Sequence, residues 1–110
     1  MIYYRGYRHS DGVGNQLVTK DDVPLNPHPS QRIWNHSPDG FNWGYQGSGP
    51  AQLALALLYD VTGDEVVSVR LHQQFKSSIV AAWGDTWEIT DAYIREWVNS
   101  KIEEAQFKKI

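Results

Sequence analysis

Residues 50–59, PAQLALALLY, carry one polar side chain before the closing tyrosine, Gln52. A segment apolar on every side leaves no face for water, so it reads as a central buried helix and not a surface one. It is also too short for a bilayer, which takes about 20 apolar residues. A chain holding such a segment must supply other elements to cover it. Pro50 suits the first turn of that helix, where a missing N–H loses no hydrogen bond. Gly63, in DVTGD, is placed to end it.

The cover has to come from both sides in sequence. MIYYRGYRHS is rich in β-favouring aromatics and reads as an opening strand, with Gly6 marking a bulge or a close backbone approach. DGVGN then reads as a turn and QLVTKDD as a second strand, with Leu17 and Thr19 on one face. VPLNPHPS, with three prolines, reads as an extended connector. QRIWNHSPDGFNWGY has the signature of a hairpin. Ser37-Pro38-Asp39-Gly40 matches a type I turn, and Phe41, Trp43 and Tyr45 alternate with Asn42 and Gly44, as on one aromatic strand face.

Beyond the buried helix, Val67, Leu71, Phe75 and Ile79 recur at steps of four and predict a second helix starting near Asp64. The third has the strongest local signature. Thr90 suits the N-cap, Asp91 the positive end of the helix dipole, and Ile89 a staple across to Ile94. Ile94, Trp97, Val98 and Ile102 then form an apolar stripe, and EEAQFKKI continues helical or frays. Strands followed by helices predict one α+β domain over residues 1–110: a small, mostly antiparallel sheet from the N-terminal half, packed on about three C-terminal helices.

Composition narrows the function classes. There is no cysteine, which excludes disulfides, thiolate catalysis and cysteine-ligated metal sites. A net charge of −3 weighs against nucleic-acid binding, which relies on a basic surface. No run reaches membrane length and the N-terminal residues lack a signal-peptide plan, so a cytoplasmic protein is expected.

The segment FNWGYQGSGPAQLALALL, followed by RLHQQFK and the ending W-x-I-T-x-x-x-I-R-x-W, resembles a family of small proteins of unknown function. Its members are found in bacterial, archaeal and phage genomes, often on mobile elements. The resemblance spans the aromatic segment, the glycine loop and all three helices. Gln46 departs from it, where glycine is usual, and so does Ser77, where an aromatic stands. It implies an accessory protein that binds a component of its host, such as a defence protein, a regulator or a signalling nucleotide. The protein would then work in the host cytoplasm.

Two groups of residues are candidates for binding. The glycine loop before the buried helix could hold an anion at free backbone N–H groups. Gly47, Ser48 and Gly49 would form its cradle, Trp43 or Tyr45 would stack a base, and Arg32 would add charge. Three glycines surround Ser48 where one would turn the chain. No lysine follows as in a P-loop, and Gln46 and Pro50 occupy the positions where a nucleophile elbow has glycine. The second group is Tyr4, Arg5, Tyr7, Arg8 and Trp34, a basic-aromatic set suited to a protein interface.

His9, His28, His36 and His72 show no metal-ligand spacing and read as surface or edge residues. No catalytic residue, metal ligand or cofactor is expected. The leading expectation is a non-enzymatic binding protein with a protein partner. A small-ligand or nucleotide binder is second and a nucleic-acid binder third, and the spare aromatics are compatible with a homodimer.

Overall fold

The structure is a computed structural model that describes residues 1–8 and 16–108, without the side chains of 106–108. The expected DGVGN turn, His9 and the last two residues of the tail lie outside the described residues. The chain runs β1 (Tyr3–Tyr7), β2 (Leu17–Lys20), β3 (Val23–Pro24), α1 (His28–Ile33), α2 (Ser48–Thr62), α3 (Glu65–Ser78), a 3-10 turn at Val80–Ala82, β4 (Thr86–Thr90) and α4 (Asp91–Lys108). The class is α+β. The four strands form one antiparallel sheet in the order β3-β2-β1-β4.

The run that opened the sequence reading is α2, and it is buried as expected. Leu53, Leu55, Leu57 and Leu58 are all fully buried. Each contributes roughly 2 kcal/mol by leaving water, which outweighs the ~1 kcal/mol that a helical glycine such as Gly49 costs. Gly63 ends the helix in the left-handed conformation, its N–H bonded to Tyr59 O at 2.8 Å. Sheet residues Tyr4, Val18, Trp87 and Ile89 close one side of this core, and Phe75, Ile94 and Val98 from the later helices close another.

The predicted later helices are present with their caps. Asp64 accepts from Val67 N–H at 3.0 Å at the start of α3, and Thr90 Oγ1 accepts from Tyr93 N–H at 3.1 Å at the start of α4. The register of β1 is continuous, so Gly6 is no bulge. It marks a close approach: the Trp87 indole lies where a side chain at position 6 would begin.

Three expectations are corrected. The hairpin over 31–45 does not form. Its turn exists, with Gly40 N–H donating to Ser37 O at 3.3 Å, but the flanks are α1 and an irregular loop. With His28–Ile33 taken up in α1, the aromatic segment has no hairpin strand to pair with. Its alternation reflects two anchors, Phe41 and Trp43, sunk separately into the core, while Tyr45 turns outward.

The proline-rich connector is extended only in part. Pro27 and Pro29 sit at the start of α1, where neither loses a helical hydrogen bond, and Ser30 Oγ donates to Pro27 O at 2.8 Å. Finally, the sheet is not wholly N-terminal. TWEIT forms β4, with Trp87 and Ile89 inward and Thr86 and Glu88 outward.

Candidate functional site

The glycine loop is a packed joint. Gly44 has φ +84°, a conformation that strains any residue with a Cβ, and its N–H donates to Val80 O at 3.1 Å. The Tyr45 ring folds back over Gly47, so that a Cβ there would lie 2.4 Å from the ring. At Gly49 a Cβ would lie 2.7 Å from Asn42 Cβ. All three glycines are therefore accounted for by contacts within the chain.

Ser48 is exposed and occupies the first helical position, and Gly47 is the cap residue with no side-chain cap bond. Ala51 N–H already donates to Gly47 O, and Pro50 has no N–H. That leaves the N–H groups of Ser48 and of the buried Gly49 without an intrahelical acceptor at this end. They border an open hollow of about 490 Å³ whose other wall includes Asp39, a carboxylate unfavourable to an anion. Arg32 is exposed on the last turn of α1 and does not line this hollow. Trp43 is fully buried and offers no ring face to a ligand.

Gln46 Nε2 donates to Ser77 O at 3.4 Å, and Ser77 Oγ donates to Gln46 Oε1 at 3.3 Å. The two positions that depart from the resembled pattern thus touch one another across 31 residues.

The basic-aromatic set divides into separate places. Tyr4 is wholly buried, its hydroxyl donating to Asp60 Oδ2, and is no interface residue; burial first, and this bond second, push its phenol far above the usual range. Arg8 serves as a structural clamp. Its guanidinium donates to Asn42 Oδ1 at 3.1 Å, Trp43 O at 3.0 Å and Asp85 Oδ1 at 3.2 Å, while lying 4.9 Å from the Trp43 ring centre. Arg5 and Tyr7 do share one surface. Together with Tyr3 and Leu17 they lie on the outer face of the sheet, opposite the helices. Arg5 stands at its centre, 5.1 Å from the Tyr3 ring centre, paired with Asp22 at 3.2 Å and Glu88 at 3.3 Å.

Trp34 belongs to a third place, which the histidine reading missed. His72 is buried at 1% exposure, and its Nε2 lies 2.9 Å from His36 Nε2. Trp34 stacks on His36 with ring centres 4.4 Å apart. His72 Nδ1 is 2.6 Å from Val69 O, and a carbonyl only accepts, so Nδ1 carries the proton. The bare Nε2 of His72 then accepts from His36 Nε2–H. His72 and Ser68, both buried, stand one turn apart on α3 beside the apolar stripe, and that spacing was the available signal.

Burial lowers the affinity of both imidazoles for protons, the neighbouring ring adding to the effect at His36. The unfolded chain then binds more protons than the folded one below about pH 6.5, so stability is full above that value and falls as the pH drops through it. Thermal melts between about pH 7 and pH 5 will show a declining Tm, with a flatter slope for a His72→Asn variant.

Among the described residues no helix is long and apolar enough to cross a membrane, and no three metal-ligating side chains form a group. The chain belongs to the family of unknown function DUF6166, whose model matches residues 4–100. No curated protein and no solved structure matches it.

Proposed function

We propose that this DUF6166 chain is a non-enzymatic accessory protein that acts by binding another protein through the outer face of its sheet. One observation carries the reading: the helices cover a single side of the sheet, and Tyr3, Tyr7 and Leu17 stand about 40% exposed on the other. Two tyrosines and an arginine with paired carboxylates beside it make a patch of the composition found at binding hot spots. Two of the other candidate residues are held in internal contacts, Arg8 in its clamp and Trp43 in the core. The resemblance to proteins of phages and mobile elements supports a partner from the host, with a defence component as the kind of target.

The test is affinity capture from source-cell lysate with the wild-type chain and a Tyr7→Glu variant. Tyr7 is exposed, so the variant will keep its Tm, and the captured protein will bind at least tenfold more weakly, on the order of a 2 kcal/mol hot spot. Equal capture by both chains would remove the outer face from consideration. Failure of the folded wild type to capture any protein would count against protein binding itself.

A further inference from the structure

The two edges of the sheet are built differently. β3, at one edge, is two residues long and ends in Pro24, features that block pairing with another strand. β4, at the other, is five residues long with no proline, no lysine and no bulge. Arg8 N–H donates to Asp85 O, and Asp91 N–H donates to Ile2 O, both at 3.1 Å. These bonds set the phase of the ladder. The backbone of residues 85, 87, 89 and 91 faces β1, and that of Thr86, Glu88 and Thr90 faces away. The N–H groups of these three, and the carbonyls of Thr86 and Glu88, have no hydrogen-bond partner among the described residues.

Beside this open edge lies a hollow of about 350 Å³ walled by Ile79, Trp83, Ile89 and Tyr93 together with Glu88 and Thr90 of the edge itself. Tyr93, at 52% exposure, also borders a second hollow along α4, lined by Glu96, Trp97 and Ser100. An open row of backbone groups beside side-chain pockets is what a strand-adding peptide requires. A second copy of this chain is a poor occupant. Antiparallel self-pairing centred on β4 would set Glu88, whose carboxylate is half exposed beside Arg5, directly opposite its own copy, and like charges so placed repel.

We propose that the free edge of β4 receives an extended segment of a different protein, which adds a strand to the sheet and sets a basic side chain opposite Glu88. The site shares Glu88 with the rim of the outer face but is built on the backbone edge of β4, and it stands whether or not that face binds anything.

The test is selection of a random dodecapeptide display library on the folded full chain. Enriched peptides will alternate apolar and polar residues and carry lysine or arginine near the centre. On binding, amide exchange at Thr86, Glu88 and Thr90 will slow by about tenfold or more, while Trp87 and Ile89, already in the ladder, will change little. Glu88→Pro removes an outward N–H without breaking a bond to β1, so it will fold and lose the peptides. Glu88→Lys, which keeps every backbone group, will bind them at least about tenfold more weakly. That variant carries the test if the proline variant does not fold. The proposal is overturned if no peptide is enriched, if enriched peptides protect other amides, or if Glu88→Pro binds them unchanged. It is equally overturned if the Glu88 amide becomes protected with rising concentration of the protein alone, the mark of self-pairing. A Tyr7→Glu variant will bind the peptides normally, which separates this site from the outer face.

Discussion

A Gly6→Ala variant will be about 3 kcal/mol less stable than the wild-type chain in chemical denaturation. Its Cβ would lie 2.0 Å from Trp87 Nε1 and 2.2 Å from Trp87 Cε2. The indole has no room to retreat. Trp87 is 8% exposed, stacked on Trp83 with ring centres 4.0 Å apart and set edge-on to Trp43 at 5.6 Å. Gly6 itself is held between two strands, opposite Val18 and Trp87, so the backbone cannot shift without breaking both ladders. The alternative cause of a loss, the altered backbone freedom of alanine, would favour alanine in a strand. A double variant separates the two. Combined with Trp87→Leu, Gly6→Ala will cost far less than it does alone, giving a coupling on the order of 1–2 kcal/mol. Additive losses would rule out the steric account.

Gln52→Leu will be the second large effect, about 3 kcal/mol, although leucine matches its apolar surroundings. The amide is completely buried on α2 and ties down the segment from α1 to the following turn. Gln52 Oε1 accepts from His36 N–H at 2.8 Å and Ser37 N–H at 3.0 Å. Its Nε2 donates to Ser30 Oγ at 3.0 Å and Trp34 O at 3.2 Å. Leucine would leave these groups without their partner. The partly covered N–H of Ser37 has no other bond among the described residues, whereas that of His36 keeps a contact to Trp34 O. The loss exceeds what the extra apolar burial returns, because an unmade bond to a covered polar group costs roughly 1–3 kcal/mol. Amide exchange will rise first across residues 30–37, and the pH dependence assigned to the His36–His72 pair will weaken with it. A Gln52→Leu chain as stable as wild type would overturn this account.

The buried helix could be read from the sequence because burial on all sides leaves a local trace, a run without polar faces. The Thr90 cap of α4 could be read for the same reason, since a cap and the N–H it satisfies lie within three residues, and for α3 the start near Asp64 was legible. Gln52 stood out as the only polar residue inside that run, yet its partners are 15 to 22 residues away and leave no local trace. The alternation at Phe41, Trp43 and Tyr45 falls in an irregular loop, where two rings are sunk separately and the third turns outward, so spacing by two is not by itself the mark of a strand. TWEIT carries the same alternation and is a strand, the difference being that β1 had a free edge to offer it. The glycine loop misled by counting. Its surplus of glycines answers to Tyr45, Asn42 and Trp83, which reach the loop only after folding.

The place of β1 between β2 and β4 also bears on the order in which the chain folds. Arg5 and its neighbour in the sheet, Glu88, are 83 residues apart, whereas α2 and α3 are joined by two residues. Closing so long a loop carries an entropic cost that grows with its length, and its contacts form late unless something else has already drawn the ends together. The α2–α3 pair is the local nucleus suited to do so. During synthesis β1 must wait, its aromatic residues unpaired on one side, until TWEIT has left the ribosome. The core-facing side of β1, with Ile2 and Tyr4, is then uncovered on that edge while residues 8 to 85 are being made, so early association with a chaperone or a partner would act before the sheet is complete.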